Sequence, residues 1–246
     1  MFSIFKKKYT AKTDFSGLRT DMHSHLLPAI DDGAADVPDS IELINGLLDL
    51  GYEKFITTPH IFWDMYKNDA ATIGSAHQVL KKEMDILHMT TPLMTAAEYY
   101  LDDYFDSLLE MKTPLLTIKD KMVLVEFSFI APSANFKQQM FQMQINGYQP
   151  VLAHPERYLY FANNKKTLDD LRSAGCLFQL NLLSLTGYYG KPTNELARYL
   201  IKMDYIDLLG TDLHHLRHLE ALRFSPHLMS TVAALLDSGR ILNPTL

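Results

Sequence analysis

Cysteine is nearly absent: Cys176 is the only one in 246 residues. A lone thiol excludes an intramolecular disulfide and fits a reducing compartment. It also excludes cysteine-dependent tyrosine phosphatase chemistry, because the required arginine position downstream of the thiol is filled by Leu182. Positive charge is in deficit, with 23 Lys and Arg against 29 Asp and Glu, a net charge of −6 that argues against a nucleic-acid partner. No apolar run approaches the length of a membrane span. No glycine-rich phosphate loop of the P-loop type occurs, which argues against an NTPase. Linkers rich in Gly, Ser or Pro are missing, as are repeats and low-complexity runs, so nothing divides the chain into parts.

What is present suits one α/β domain. The length of 246 residues matches a single barrel-type fold, and 47% hydrophobic content supplies its core. The N-terminal Met-Phe-Ser-Ile-Phe-Lys-Lys-Lys places its basic residues after a short apolar run, the reverse of a secretory signal. The chain is therefore read as cytoplasmic, with residues 1–18 as a flexible extension and residues 19–246 as the domain. Lys6, Lys7 and Lys8 beside Phe2, Ile4 and Phe5 read as a solvated tail in preference to a contact with an anionic membrane.

Strand-like and helix-like stretches alternate, as in a parallel α/β fold. Helical periodicity predicts helices over 38–50, 69–87, 101–111, 133–145, 165–174, 193–203 and 227–236. Ser133 is the expected N-cap of the fourth, and Gly147 its expected stop. Seven apolar, strand-like segments each end in a residue able to bind a metal. In order they deliver His23 and His25, His60, Glu98, Glu126, His154, Asn181, and Asp212 with His214. Ionisable groups at the C-terminal ends of successive parallel strands converge at the mouth of a barrel.

Each motif has a plain reading beside the chemical one. Residues two apart on a strand share a side, so His23 and His25 can bind one ion, yet an isolated His-x-His is more often a packed pair. Asp31-Asp32-Gly33 is by itself an ordinary turn. Buried, unpaired Glu98 and Glu126 would be costly, and a cation between them removes that cost. Pro155 is expected to hold His154 extended at its strand end. Asp212 and His214 repeat the spacing of the first strand. Several strand ends of one character shift the balance to a polynuclear metal centre, and the mixed imidazole and carboxylate set suits Zn, Mn or Fe. Asn181 either faces the pocket or closes a turn. His215 and His218 lie close enough to support a metal ligand.

The ordered set His23-Ser24-His25, Asp31-Asp32-Gly33, Thr58-Pro59-His60, Glu98, Glu126, His154-Pro155-Glu156-Arg157 and Thr211-Asp212-Leu213-His214 resembles the PHP (polymerase and histidinol phosphatase) superfamily. Within it, His-Ser-His-Leu-Leu-Pro, Asp-Asp-Gly-Ala and Ala-His-Pro-Glu-Arg resemble the bacterial manganese-dependent protein-tyrosine phosphatases of capsule and exopolysaccharide operons. The likeness runs from about Asp21 to about His218. It implies a single-domain, distorted (β/α)7 TIM-like barrel with three divalent ions, manganese first, with iron or zinc as alternatives. His23, His25, Glu98 and Asp212 would hold one ion; Glu98, Glu126 and His154 the second; Asp32, His60 and His214 the third. Choosing Asp32 over its neighbour Asp31 rests on the family pattern.

Arg157 is implied as a phosphate-binding arginine. The second arginine of these phosphatases stands a few residues beyond the Asp-x-His element, whereas here Arg217 lies closer than expected and Arg223 is the next candidate. The resemblance implies hydrolysis of phosphotyrosine on a protein, the tail of a bacterial tyrosine kinase. Two rivals remain: a PHP phosphoesterase acting on a small phosphomonoester such as histidinol phosphate, and a non-catalytic metal-bound docking module. Loops 28–36 and 61–68 follow strands and would line the entrance. There Phe62, Trp63 and Tyr66 would stack on a substrate ring, cover the mouth or meet a second subunit of a homo-oligomer.

Overall fold

Alternation of apolar residues along the strand-like segments builds a curled parallel sheet. The computed structural model describes residues 13–246. Its strands are β1 (Thr20–Asp21), β2 (Lys54–Thr57), β3 (His60–Ile61), β4 (Leu93–Thr95), β5 (Glu98–Tyr100), β6 (Met122–Glu126), β7 (Gln149–Ala153), β8 (Leu177–Asn181) and β9 (Leu208–Gly210). Between and after them lie α1 (Val37–Asp49), α2 (Ala70–Ile86), α3 (Asp103–Glu110), α4 (Phe136–Ile145), α5 (Lys165–Ser173), α6 (Lys191–Lys202), α7 (Leu216–Arg223) and α8 (Leu228–Asp237). Every strand pairing is parallel, in the orders β1-β2-β4 and β3-β5-β6-β7-β8-β9.

Two of the seven expected strands are broken in the middle. Thr58 and Pro59 separate β2 from β3, and Ala96 and Ala97 separate β4 from β5. Proline has no N–H to give a ladder, so the break at Pro59 follows from the sequence. Pairing continues across both breaks, with Ala96 N–H donating to Thr57 O (2.9 Å) and Glu98 N–H to Pro59 O (3.0 Å). The two sheets therefore run into one another. At the far edge the chain after β9 lies beside the chain after β1. Asp212 N–H donates to His23 O (2.7 Å), His25 N–H donates to Leu213 O (2.9 Å), and Ser24 pairs with Leu213.

Period-two alternation sorts each strand into an inner and an outer face. Met22, Ile56, Ala96, Leu124, Val151, Ala153 and Leu208 share a small inner cluster. Phe55, Val123, Val125, Leu152, Phe178 and Leu180 belong to the larger core shared with the helices. Glu126 is two residues beyond Leu124 on β6, so the strand that fills the inner core also aims a carboxylate above it. Helix α1 starts where Asp36 accepts a bond from Asp39 N–H (2.9 Å) and packs Leu43, Ile44 and Leu47 inward. In α4 the cap position falls to Asn135, without a side-chain bond, and the Ser133 hydroxyl donates to Gln139 instead. Gly147, with φ of +83°, follows that helix in the left-handed conformation expected of a stop. Helix α7 was not anticipated from the sequence.

The N-terminal expectation divides. Residues 1–12, with the apolar and lysine run, lie outside the described residues. Residues 13–18 are packed, not flexible: Phe15 and Leu18 are fully buried, and Phe15 N–H donates to Leu50 O (2.6 Å) with its ring 5.5 Å from Tyr52. Two large apolar side chains outweigh the usual fraying of a terminus. Among the described residues no helix is long and apolar enough to cross a membrane.

Candidate metal centre

One end of the curled sheet gathers the residues that the sequence singled out. Glu98 opens β5 and His60 opens β3; Glu126 closes β6, and His154 and Asp212 follow β7 and β9. The backbone is left-handed at His154 (φ 32°) and at Asp212 (φ 50°), unusual for residues other than glycine. His154 is thus not extended before Pro155. Proline biases its predecessor toward extended backbone, and His154 departs from that bias to enter the tight turn Pro155–Arg157. Such conformations cost on the order of 1 kcal/mol or more and cluster at functional sites.

The side chains interdigitate at hydrogen-bond to near-contact distances. His23 Nε2 lies 3.3 Å from Glu98 Oε2 and 3.4 Å from Asp212 Oδ1, and His25 Nε2 lies 3.5 Å from each. His154 Nε2 is 3.2 Å from Glu98 Oε1 and 3.7 Å from Glu126 Oε1. His60 Nδ1 is 3.2 Å from Glu98 Oε2 and 3.6 Å from Glu126 Oε2. On the outer side, His60 Nε2 and His214 Nε2 each approach Asp32 Oδ1 to 3.5 Å. Glu98 is the hub, with one oxygen toward His23, His25 and His60 and the other toward His154.

Hydrogen bonds fix which ring nitrogens face the centre. The amide orientation of Gln179 is set by His154 N–H, which donates to its Oε1 (3.3 Å). His23 Nδ1, 2.8 Å from that same oxygen, must then carry a proton, which leaves the Nε2 lone pair turned inward. His25 Nδ1 is held by Asp31 Oδ2 (2.8 Å), and His214 Nδ1 by Asp212 O (2.9 Å). This is the outer-shell pattern of metal-bound histidines. His23 Nε2, His25 Nε2, His60 Nδ1 and both Glu98 oxygens are buried without a hydrogen-bond partner. Buried polar atoms rarely go unpaired, so their convergence calls for cations. The donor set fits that demand: four overlapping groups can each hold an ion, namely His25, Asp32, His60 and His214; His23, His154 and Asp212; His23, His25 and Glu98; and His60, Glu98 and Glu126.

The electrostatics agree. Burial alone would raise the Glu98 and Asp212 carboxyls, but the surrounding imidazoles, His23 foremost, hold both well below the usual range. Glu126 is pushed well above it by burial and by the charges of Glu98 and Asp212. Burial and the neighbouring His25 push the His60 imidazole down to about 4. A cation between Glu98 and Glu126 would remove the repulsion that lifts Glu126.

The adjacent aspartates have different tasks. Asp31 spends Oδ2 on His25 Nδ1 and His60 N–H (3.1 Å) and Oδ1 on Gly33 N–H (3.0 Å). Asp32 is left to face His60 and His214. Arg157 donates to Asp212 Oδ2 (2.6 Å), and its guanidinium lies between the rings of Phe129 (4.6 Å) and Tyr189 (4.3 Å). Arg217 is exposed on the first turn of α7 and lines a cleft of about 270 Å³ with Gly33, Ala34, His214 and His215. Arg223 pairs with Asp49 at the C-terminal end of α1, away from the strand ends that carry the cluster. Trp63 stacks on Tyr104 (4.0 Å), Phe62 on Tyr100 (3.9 Å) and Tyr66 on His60 (5.4 Å). Burial pushes the Cys176 thiol up to about 12, which removes it as a nucleophile. Sequence reasoning passed over Gln179, Phe129 and Tyr189. Gln179 had a signal, since it and Asn181 are polar two apart within an otherwise apolar strand.

A family model for capsular polysaccharide synthesis proteins, CpsB/CapC, matches residues 19–235. The chain belongs to the CpsB/CapC family. Among CpsB/CapC relatives, the tyrosine-protein phosphatase YwqE of Bacillus subtilis is 32% identical over 198 residues, covering 80% of this chain and 78% of YwqE. A putative tyrosine-protein phosphatase CapC of Staphylococcus aureus is 26% identical, covering 79% and 76%. The tyrosine-protein phosphatase CpsB of Streptococcus pneumoniae is 26% identical, covering 80% and 83%. A crystal structure from work on YwqE of B. subtilis and CpsB of S. pneumoniae, described as metal-dependent tyrosine phosphatases, superposes with a TM-score of 0.76. It is 28% identical and covers 86% of each chain.

Proposed function

We propose that this CpsB/CapC chain is a metal-dependent protein-tyrosine phosphatase whose two continuous sheets act as one distorted (β/α)7 barrel spanning residues 19–246. The observation that carries the proposal is the set of partnerless buried nitrogens and carboxylate oxygens around Glu98, with Arg157 at its edge. His23, His25, Glu98 and Asp212 would hold one divalent ion, Glu98, Glu126 and His154 a second, and Asp32, His60 and His214 a third, with manganese as the first choice. Bound divalent ions supply a nucleophile derived from water at neutral pH and neutralise phosphate charge.

The chain's own residues do the rest. Arg157 presents a planar fork suited to two phosphate oxygens, and the nearby rings of Phe129 and Tyr189 restrain its orientation. Arg217, beside His214 on the cleft, is the second arginine that could reach a phosphate or its flank. Asp31 and Gln179 hold the rings of His25 and His23 so that their inner nitrogens stay aimed. The exposed face of Phe129 and the stacked Trp63 and Tyr104 give the rim an aromatic lining for a tyrosine ring. A phenolate leaving group, pKa about 10, is expelled more easily than an alkoxide, which favours aryl over alkyl esters. The substrate is the tyrosine-rich tail of a cytoplasmic bacterial tyrosine kinase controlling capsule or exopolysaccharide export, since an extended tail can reach a recessed cluster.

The test compares a phosphotyrosyl kinase-tail peptide, a phosphoseryl peptide and histidinol phosphate, before and after chelation. Turnover of the tail peptide that vanishes on chelation and returns with Mn²⁺ is expected. Full activity after exhaustive chelation would end the metal reading. A preference for histidinol phosphate would make the chain a small-molecule phosphoesterase.

A further inference from the structure

We propose that Asn181 is a positioning residue of the centre: its side-chain amide holds the outer oxygen of Asp212, so that the inner oxygen stays aimed at His23 and His25 while Arg157 is free to leave for phosphate. This deepens the phosphatase reading and rests on it for the role of Arg157, but not for the geometry of Asp212. Asn181 is the last residue of β8 and fully buried. Its Oδ1 accepts from Leu183 N–H (2.8 Å), a backbone donor that cannot change sides. The amide orientation is thereby fixed, and Nδ2 must point the other way. There it donates to Asp212 Oδ2 (2.9 Å), with Tyr189 Oη at 3.4 Å.

Asp212 thus has divided oxygens. Oδ1 lies 3.4 Å from His23 Nε2, 3.5 Å from His25 Nε2 and 3.4 Å from His214 Nδ1. Oδ2 is shared by two donors, Asn181 Nδ2 and Arg157 Nη1. If Arg157 turned its fork to a phosphate, a carboxylate held by Arg157 alone would lose its outer anchor and could rotate away from the imidazoles. Asn181 supplies an anchor that does not move with substrate. Without it, Oδ2 would depend on Arg157 alone, and that arginine would be more tightly committed to Asp212 and less available to phosphate. The left-handed backbone at Asp212 sharpens the need, because a strained residue is held by its surroundings and not by its own preference.

The test uses the full chain with N181S and N181L. Serine keeps an acceptor for the Leu183 N–H but cannot span the gap to Asp212; leucine fills the same space with no donor. Metal-stripped protein is titrated with MnCl2 by calorimetry, and inorganic phosphate is measured as an inhibitor of p-nitrophenyl phosphate turnover. Outer-shell losses of this kind cost roughly 10-fold to 100-fold in metal affinity or activity. Both variants should bind Mn²⁺ at least about 10-fold more weakly and phosphate more weakly too, with the metal-free melting temperature of N181S close to wild type. Wild-type affinities in both variants would overturn the proposal. So would a fall in metal-free stability that accounts for the whole loss, since Asn181 would then be only a turn-former. A wild-type chain inactive on every phosphate ester would end the phosphatase reading while the Mn²⁺ titration still judged Asn181.

Discussion

Glu156 is a carboxyl with no access to water. Its Oε1 accepts from Ser184 Oγ (2.7 Å) and Asn181 N–H (2.9 Å), and Oε2 has no partner. Burial pushes the carboxyl up to about 7, against those two bonds. A group that binds its proton more tightly when folded stabilises the fold fully below its unfolded pKa and loses that contribution as pH rises through the folded value. Glu156 therefore costs stability between about pH 4.5 and 7, by something on the order of 3 kcal/mol from a shift of this size. Glutamine keeps the accepted bonds without the charge. Thermal melts of E156Q and wild type should agree near pH 4.5 and separate toward pH 8, with the variant more stable; parallel curves would mean that Glu156 is ionised in the native state. Asp21, raised to about 6 by burial, leaves a residual slope of the same sign in both proteins.

At the scale of elements, the loop after β1 is welded to the first histidines. Gly33 has no room for a side chain, because a Cβ would collide with the carbonyl oxygen and Cβ of His25. G33A should lower stability by about 1–3 kcal/mol, the usual cost of overpacking. It should also reduce turnover by loosening Asp31 from His25; a variant with wild-type melting and wild-type rate would show that the loop is not coupled to the centre. The same loop marks where the sequence was legible. His23, His25, Glu98, Glu126, His154, Asp212 and His214 could be read because polar residues interrupt apolar strands at their ends, and the alternating strands and helices gave the parallel α/β class. The division of labour between Asp31 and Asp32 could not, since adjacent identical residues differ only in where the chain turns. The break at Ala96-Ala97 was invisible for a related reason, because apolar patterning continues through it, whereas Pro59 marks its own break. Arg157 was readable in its motif, yet its aromatic neighbours Phe129 and Tyr189 come from distant loops, and nothing local announces such contacts.

For the whole molecule, the cluster is a concentration of buried charge that ions would neutralise. Ligands that bind only the folded state stabilise it by mass action, about 2.7 kcal/mol at one hundred times the dissociation constant. Melting of the chelated protein should therefore shift upward by roughly 5–10 °C with saturating Mn²⁺, read by scanning calorimetry; an unchanged midpoint would mean that no ion binds the native cluster. The meeting of the chain after β9 with the chain after β1 has a further consequence. His23 and Asp212 touch through Asp212 N–H and His23 O, yet they stand at opposite ends of the sequence. During synthesis the first histidines emerge with every strand after β1 still to follow, so the full donor set cannot assemble until Asp212 and His214 have left the ribosome. An ion that needs Asp212 or His214 could therefore bind only late in the making of each molecule. A truncated product that stops before Asp212 keeps His23, His25, His60, Glu98, Glu126 and His154 but lacks the edge that shuts the sheet.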